Sequence, residues 1–357
     1  MTATTADRRG AGRLVGTRGL IVGASIALAV AIVLSLSIGA TGVSLAALPR
    51  VLVALATGAS DPITAREQLV LVEIRLPRLL LGAFVGAALA LSGAMMQGMF
   101  RNPLADPGLV GVSSGAALAA VATIAAGNGL ALPLARAFGP YLLPLAAFGG
   151  GMLATLLLVA VAARHGELSI GTLLLAGIAL AALASSLTGL LAHASNDQEL
   201  RDLTLWMLGS LSGASWPKAL AVAPFALALA FVVPRLVRGL NGLVLGEAEA
   251  FHLGVDVDRM KRMTIAAAAA ATGAAVAVSG IVGFVGIIVP HLVRLLAGPD
   301  HRVVLPGSAL LGATLVLLAD VVARMLVRPA ELPLGVVTAL LGAPLFLHLV
   351  RRWVGSV

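Results

Sequence analysis

The feature that most constrains this chain is an uncharged run of more than twenty residues, from Leu79 to Phe100. Two arginines precede it in the sequence Arg75-Leu-Pro-Arg78, and a polar loop, Asn102–Gly108, follows it. A run of that length without an ionisable group is what a bilayer crossing of about 20 residues requires. Its glycine, alanine and serine content indicates close packing between helices. The sequence therefore predicts a buried membrane-spanning helix. The polar loop after it interrupts the apolar sequence and is a candidate functional segment.

Similar apolar runs recur along the whole chain. They fall at about 19–40, 76–99, 108–126, 141–163, 169–192, 217–237, 262–280, 281–297, 303–323 and 332–350. Only 11% of the residues are charged, against about 25% in soluble domains, which excludes a single water-soluble core. We predict an all-α polytopic membrane protein of about ten transmembrane helices, forming a single transmembrane domain over residues 1–357.

The lengths of two apolar runs decide how the N-terminus and residues 262–297 are interpreted. Residues 1–18 are polar and basic, but the apolar run that follows is longer than the 7–15 residues of a signal peptide, so a cytoplasmic tail and a retained first helix are expected. The run 262–297 is too long for one crossing, and the glycines at 280, 283 and 286 are the expected point of division. The eighth segment should therefore be short or broken.

Charge sets the expected orientation. The larger share of the 24 lysines and arginines falls in connections on the same side as the N-terminus. Positively charged loops are typical of the cytoplasmic side of membrane proteins. Both termini are therefore expected to be cytoplasmic, and the net charge of +8 is attributed to these loops rather than to nucleic-acid binding.

Two connections are long enough for a separate role. Residues 41–74 contain Leu45–Ala56, apolar but interrupted by Pro49 and Arg50, which predicts a helix lying at the membrane interface. Residues 238–261 contain a helix-forming stretch, Glu247–Leu253, bounded by Gly246 and Gly254. That stretch is a plausible docking element for a soluble partner, and an ordinary solvated loop is the alternative.

A short similarity between two segments of the sequence suggests an internal repeat. Residues 88–98 read ALALSGAMMQG, and residues 275–286 read AVAVSGIVGFVG. Repeats of opposite orientation are a common plan in transporters, and the predicted topology is compatible with one here. An inverted internal repeat is therefore a further expectation.

The chain carries no recognisable catalytic or nucleotide-binding motif. Its two lysines, Lys218 and Lys261, do not follow a glycine, so the phosphate-binding G-x-x-x-x-G-K-[ST] loop is absent from the sequence. Intramembrane acids are scarce, and Asp320 can pair with Arg324 four residues later on the same helix face. Ion-coupled carriers usually keep ionisable residues within the membrane. The sequence thus favours an external energy source over an ion-coupled carrier or a membrane enzyme.

Several polar side chains remain as candidate contacts. Arg75, Arg78 and Arg324 flank crossings on the side where positive charge is disfavoured, so they either anchor to lipid headgroups or orient an acidic partner. His193, with Trp206 and Met207, could touch an entering metal macrocycle, or it could be an ordinary interfacial histidine. The other histidines are expected to be solvated or to cap helices: His165, His252, His291, His301 and His348.

Long ordered motifs resemble one family across residues 20 to 350. They are RLPR (75–78), SGAMMQGMFRNPLADPGLVGVSSGAAL (92–118), GFVGIIVPHLVR (283–294), DHRVVLPGSALLGA (300–313), LADVVAR (318–324) and ELPLGVVTALLGAP (331–344). Together they resemble the FecCD-type permeases, the membrane subunits of ABC importers for iron-siderophores, haem and vitamin B12. The implied fold is similar to that of the vitamin B12 permeases.

The resemblance implies a transport assembly in the bacterial inner membrane. Such permeases are homodimers, with two ATPase subunits below and a periplasmic binding protein above. ATP would be hydrolysed on the partner, and no cofactor would be permanently bound. The arginines of the family that meet the binding protein match Arg75, Arg78 and Arg324.

The cytoplasmic residues match in the same way. The coupling helix of the family resembles residues 245–255, with Gly246, Glu247, Phe251, Leu253 and Gly254 as candidate ATPase contacts. The cytoplasmic gate of the family matches two short segments: Asn102, Pro103, Leu104 and Ser169, Ile170, Gly171.

The cargo is inferred from one motif. NPLADPGLVGVSSGAAL is most similar to the haem permeases, whereas vitamin B12 permeases resemble NPLAEPGLLGVSNGAG. Haem delivered by a periplasmic haem-binding protein is therefore the expected cargo, with ferric siderophore and cobalamin as alternatives.

Overall fold

The computed structural model describes residues 16–39, 42–43, 45–58, 61–127, 132–164 and 167–354. Within those ranges the chain is almost entirely helical. The helices are α1 Thr17–Ser37, α2 Leu48–Thr57, α3 Pro62–Gln68, α4 Leu76–Phe100, α5 Val112–Ala125, α6 Leu132–Phe138, α7 Leu142–Ala162, α8 Ile170–Ala194, α9 Asp197–Met207, α10 Trp216–Leu243, α11 Glu247–His252, α12 Val257–Ser279, α13 Val285–Ala297, α14 His301–Met325 and α15 Leu334–Val354.

Shorter elements join these helices. Turns of 3₁₀-helix lie at Leu45–Ala47, Pro107–Val110 and Gly139–Tyr141, and a π-helical stretch at Leu69–Arg75 leads into α4. The two-residue strands β1 (Ala163–Arg164) and β2 (Glu167–Leu168) pair antiparallel between α7 and α8. The expectation of an all-α fold is confirmed apart from this small hairpin.

The ten predicted apolar segments each correspond to one helix. In the described part of the chain, seven helical stretches are long and apolar enough to cross a bilayer: Thr17–Ser37, Ile63–Phe100, Arg136–Ala162, Ile170–Ala194, Trp216–Leu243, Val257–Ser279 and His301–Met325. The other three predicted crossings are the shorter apolar helices Val112–Ala125, Val285–Ala297 and Leu334–Leu347. The prediction of a polytopic membrane protein is confirmed.

The predicted division of residues 262–297 is confirmed. Helix α12 ends at Ser279, and Gly280 adopts a left-handed φ of 67°. Phe284 also has φ of 67° before α13 begins. Helix α13 has 13 residues, about 20 Å of rise, which is shorter than the roughly 30 Å hydrocarbon core. The eighth crossing is short, as the glycines indicated.

Helix α4 lies at the centre of the fold. It packs against α10, α12, α13 and α14, and most of its side chains are buried. Glycines allow this close packing: a Cβ at Gly86 would lie 2.3 Å from the carbonyl oxygen of Gly312, and one at Gly93 would lie 1.9 Å from that of Gly286. The small-residue content of the central run is thus used for helix contact.

The two similar segments touch each other but differ in local structure. Residues 88–98 lie within the unbroken helix α4, whereas residues 275–286 span the end of α12 and the break before α13. Gly93 of the first segment meets Gly286 of the second. The inverted relation between larger repeats stays a prediction.

The predicted helix at 45–56 is present as the 3₁₀ turn followed by α2, which ends at Gly58 with φ of 69°. The predicted cytoplasmic tail, 1–18, lies largely outside the described residues, which begin at residue 16. His165 also lies outside them.

Candidate functional site

The predicted coupling segment folds as a short helix between two glycines. Helix α11 covers Glu247–His252, and Gly246 and Gly254 have φ values of 123° and 80°. Only glycine adopts such positive φ values readily, so these two residues set the sharp turns at either end. Ala250 is fully buried and packs toward Gly242 of α10, which fixes the rotation of α11.

That rotation leaves large apolar side chains uncovered. Phe251 is 70% exposed and Leu253 is 66% exposed, and Val244 and Leu245 beside them are also exposed. We call these four residues the coupling cluster. They lie between α10 and α12, outside the apolar spans. A contiguous exposed apolar patch of this kind is typical of a protein interaction surface.

A buried lysine joins α11 to the rest of the protein. Nζ of Lys261, in α12, lies 2.7 Å from Oε2 of Glu247 and 3.4 Å from the carbonyl oxygen of Leu168. Asp258 of α12 also accepts a hydrogen bond from the N–H of Leu168, at 3.2 Å. Leu168 immediately precedes Ser169 of the predicted gate. Lys261 therefore connects the two segments that the sequence assigned to coupling and gating.

The second gate segment forms the start of α8. Ser169 is the N-cap residue, and its hydroxyl accepts a hydrogen bond from the N–H of Thr172 at 3.3 Å. A serine at this position satisfies one of the free N–H groups of the first helical turn. Ser169 and Gly171 are exposed and Ile170 is half-buried, so this segment has room to move against its neighbours.

The first gate segment is a tight loop after α4. Arg101 ends the helix in the left-handed region, with φ of 50°. The side chain of Asn102 then accepts a hydrogen bond from the N–H of Leu104 at 2.9 Å, and Pro103 lies between them. The loop leads into the 3₁₀ turn Pro107–Val110, whose Leu109 carbonyl lies so near α8 that a Cβ at Gly177 would be 2.3 Å from it. The turn that follows the first predicted gate segment therefore packs against α8, the helix that begins at the second.

Asp106 holds the turn between α4 and α5. Its carboxylate accepts a hydrogen bond from the N–H of Gly108 at 2.7 Å. Burial raises the pKa of the Asp106 carboxyl above its usual range, and the hydrogen bond from Gly108 partly opposes that shift.

A polar pocket of about 290 Å³ lies behind the gate loop. Its lining includes Asn102, Pro103, Arg294, His301 and Val244 of the coupling cluster. His301 is 2% exposed, so its expected solvated role is wrong. The reason is tertiary: its N–H and Nδ1 both contact the amide oxygen of Asn241, at 2.9 and 2.8 Å.

The same pocket contains contacts that sequence reasoning missed. Arg294 donates to the side-chain oxygen of Gln97 and to the carbonyl of Ala94. Gln97 in turn donates to the carbonyls of Gly286 and Ile287, at 3.2 and 3.1 Å. These bonds tie the end of α4 to α13. Gln97 was visible as the one amide within an apolar helix, but nothing in the sequence identified its partner.

The three predicted docking arginines lie together at the opposite end of α4, about 37 Å from the gate loop by the rise of a helix of 25 residues. Arg78 is 9% exposed and forms a paired contact with Asp320, with Nη2–Oδ1 at 2.8 Å. It also bonds both carboxylate oxygens of Glu331, at 3.0 and 2.8 Å. The predicted pair between Asp320 and Arg324 is confirmed at 3.0 Å.

Arg75 and Arg324 also contact the end of α1. Arg75 is 4% exposed and donates to the carbonyl of Leu36 and, at 2.9 Å, to that of Val43. Arg324 donates to the carbonyl of Ile38 at 3.1 Å. The arginines thus stabilise this end of the fold, a role that neither the lipid-anchoring nor the docking interpretation included. Docking to a partner stays a prediction.

The three candidate substrate-contact residues do not lie close together. His193 lies in the last turn of α8, whereas Trp206 and Met207 end α9. Helix α9 has 11 residues, about 16 Å of rise, so the histidine and the other two lie toward opposite ends of it. Trp206 packs on the apolar cluster around Ala116 and Val276. Among the described residues, no group of three His, Cys, Asp or Glu could hold a metal ion.

The chain is similar to known transport proteins over most of its length. The model of the FecCD transport family matches residues 27–352. The chain is 43% identical over 303 residues to the cobalamin import system permease protein BtuC of Halobacterium salinarum, covering 85% of this chain and 79% of that protein. It is 44% identical over 283 residues to the hemin transport system permease protein HmuU of Yersinia pestis, covering 78% and 82%.

A solved structure agrees with these relatives. A chain described as an inward-facing conformation of a metal-chelate type ABC transporter superposes with a TM-score of 0.80 at 35% identity. The match covers 93% of this chain and 99% of the other. Fold and sequence therefore point to the same class of membrane protein.

Proposed function

This chain belongs to the FecCD transport family as the permease of an ABC importer, and we propose that it carries haem from the periplasm into the cytoplasm. The observation that carries the transport mechanism is the buried Lys261, which joins Glu247 of the exposed coupling helix to Leu168 beside the gate. A movement imposed on α11 would reach the start of α8 through this contact.

The motive force would come from a separate ATPase. The coupling cluster offers Phe251 and Leu253 as apolar anchors that a docking groove could bury. We assign Gly246, Glu247, Phe251, Leu253 and Gly254 to that contact, with two ATPase subunits serving a homodimer of this chain. In this proposal both termini lie on the cytoplasmic side of the inner membrane.

The binding protein would dock at the other end of α4. Arg75, Arg78 and Arg324 concentrate positive charge there, beside the acidic side chains of Asp320 and Glu331. Acidic side chains on the binding protein would then complement this end. Because the arginines are largely buried, we propose that docking draws on the field of the whole cluster rather than on one exposed side chain.

Haem is supported by two observations. The motif NPLADPGLVGVSSGAAL at the gate is similar to that of haem permeases, and one relative is named for hemin transport. Cobalamin is the second candidate, because relatives of nearly equal identity are named for cobalamin or vitamin B12. On either cargo, Asn102–Leu104 and Ser169–Gly171 form the cytoplasmic gate, and His193, Trp206 and Met207 are candidate contacts along the way.

The cargo is tested by reconstituting the permease with its cognate ATPase and binding protein in vesicles. Haem, cyanocobalamin and a ferric hydroxamate siderophore are offered separately. We expect ATP-dependent accumulation of haem, and none with an ATPase variant that cannot hydrolyse ATP. If cobalamin or siderophore accumulates and haem does not, haem is the wrong cargo, but the assignment of the chain to an ABC importer still holds.

A further inference from the structure

A large open groove shares no lining residue with the pocket behind the gate loop. It has a volume of about 850 Å³ and lies between α4, α10 and α14. Phe84 and Leu91 of α4 form its floor, and residues of α10 such as Ala226 and Ala230 form one wall. All lining side chains are apolar except two arginines, Arg238 and Arg302. We call this the lateral groove.

The two arginines lie at the same end of the groove. Arg302 is in the first turn of α14, and Arg238 is in the C-terminal part of α10. Both are exposed, and within the described ranges neither forms an ion pair. The carboxylate of Asp300, two residues before Arg302, accepts hydrogen bonds from the backbone N–H of Arg302 and the side-chain amide of Asn241. Two cations are thus available at the end of an apolar slot.

The length of the groove matches one leaflet of a bilayer. From Arg238 to Ala226 along α10 the helical rise is about 18 Å. Half of the roughly 30 Å hydrocarbon core is about 15 Å. A lipid whose headgroup lies between the arginines would place its acyl chains beside Ala226 and Phe84, near the middle of the membrane.

The neighbouring surface indicates contact with lipid. On α10 the side chains of Leu220, Leu227 and Phe231 are highly exposed, and α10 is one of the membrane-spanning helices. Basic pockets between transmembrane helices are sites at which anionic headgroups bind. Guanidinium groups suit phosphate because they form paired, charge-assisted hydrogen bonds.

From this arrangement we propose that the lateral groove binds one anionic phospholipid, with its phosphate between Arg238 and Arg302 and its acyl chains along α4 and α10. The proposal is independent of the cargo and of the ATPase, since it requires only that the chain spans a membrane.

The test uses the purified full-length protein and native mass spectrometry. The detergent solution contains equal amounts of palmitoyl-oleoyl phosphatidylglycerol and the phosphatidylcholine with the same acyl chains. We expect retained phosphatidylglycerol to exceed phosphatidylcholine about thirtyfold, as two basic contacts predict. The double variant Arg238→Gln/Arg302→Gln should lose that preference. If the double variant still prefers phosphatidylglycerol as strongly as the unmodified protein does, the proposal is overturned.

Two further variants separate headgroup from chain contacts. Arg235→Gln is the matched control, because Arg235 is exposed on the same helix, bonds the carbonyl of Phe231 and does not line the groove; it should behave as the unmodified protein.

Ala230→Trp fills the groove without changing charge and should reduce phospholipid retention. Inorganic phosphate is the third arm: if it displaces phosphatidylglycerol and Ala230→Trp has no effect, the site binds phosphate alone and the proposal fails.

A second copy of the chain is the other possible occupant of the groove. The sequence contains no cysteine, so Ala230→Cys introduces a single thiol there. In phosphatidylglycerol vesicles treated with an oxidant we expect no intermolecular disulfide. Efficient disulfide formation between two copies would assign the groove to a protein interface and overturn the proposal.

Discussion

Nζ of Lys261 lies 2.7 Å from Oε2 of Glu247, and the lysine is almost fully buried while the glutamate is partly exposed. The pair joins α12, within the membrane-spanning bundle, to α11, which carries the coupling cluster. A buried ammonium requires a charged or hydrogen-bonding partner. The position of α11 is therefore tied to the side chain of one interior lysine.

The first prediction concerns this lysine. Lys261→Met should leave the fold intact, because an apolar side chain of similar length replaces a buried charge, and Glu247 can be solvated. Transport per ATP hydrolysed should fall at least severalfold, since the link to Leu168 is lost. The measurement is uptake and hydrolysis in the reconstituted importer. Arg259→Gln, an exposed change two residues away on the same helix, is the control. Equal coupling in the two variants would show that Lys261 does not transmit movement from α11 to the gate.

A second prediction tests the coupling surface itself. Changing Glu247 to glutamine and Leu253 to alanine together should uncouple ATP hydrolysis from transport without unfolding the permease, because glutamine retains a hydrogen-bond acceptor for the buried Lys261. Leu253 is exposed, so its loss removes a partner contact rather than core packing. If coupled transport survives the double change, the assignment of α11 to the ATPase contact is wrong.

The third prediction concerns binding-protein docking. Charge reversal, Arg75→Glu or Arg324→Glu, should weaken docking in a salt-sensitive way, but it also breaks hydrogen bonds to the end of α1. Arg324→Gln separates the two effects, because it removes the charge and retains a donor. We expect weaker binding at low salt and a smaller dependence on salt, measured with the immobilised binding protein.

The control for docking is Arg328→Gln, at the same end of the protein and exposed. It should have a smaller effect than Arg324→Gln. Unchanged docking in the Arg324 variant, with its fold retained, would limit the arginine cluster to a structural role.

A fourth prediction concerns the charge network at that end. Asp320 is 2% exposed and pairs with both Arg78 and Arg324. Asp320→Ala should destabilise the protein by about 3–5 kcal/mol, because two buried guanidinium groups lose their shared counter-charge. Glu331→Gln should cost much less, because Glu331 is partly exposed. Thermal unfolding in detergent measures the stability of both variants. Equal losses of stability would contradict the prediction that Asp320 contributes more than Glu331.

A fifth prediction tests the packing of α4. A Cβ at Gly93 would lie 1.9 Å from the carbonyl oxygen of Gly286, so Gly93→Ala must separate α4 from α13. A loss of about 2 kcal/mol or more is expected, in the range of core overpacking. Gly149→Ala is the control, because nothing lies within 4 Å of its added Cβ and it should be neutral or slightly stabilising. Equal stability of the two variants would contradict the close contact between α4 and α13 at Gly93.

Sequence patterns predicted the features that depend on local composition. Apolar length located the ten helices, and the glycines at 280 and 283 marked the break before α13. The pair between Asp320 and Arg324 followed from helical spacing. Gly246 and Gly254 delimited α11 because their backbone conformations exclude other residues.

Contacts between distant segments could not be predicted in this way. Arg78 meets Asp320 across 242 positions, and periodicity carries no information on that pairing. His301 was expected to be solvated or to cap a helix; it does lie at the start of α14, but it is buried and contacts Asn241 of α10. Lys261 lies beside arginines at 259 and 262 in the sequence, and only the fold shows that it faces inward while Arg259 is exposed.

The central claim is that this permease moves cargo only when a separate ATPase drives it. The most direct measurement is haem uptake into vesicles containing the permease alone, with an imposed proton or sodium gradient, compared with vesicles that also contain the ATPase, ATP and the binding protein. We expect no accumulation and no ATP hydrolysis by the permease alone, and accumulation by the complete assembly. Gradient-driven accumulation by the permease alone would contradict the account.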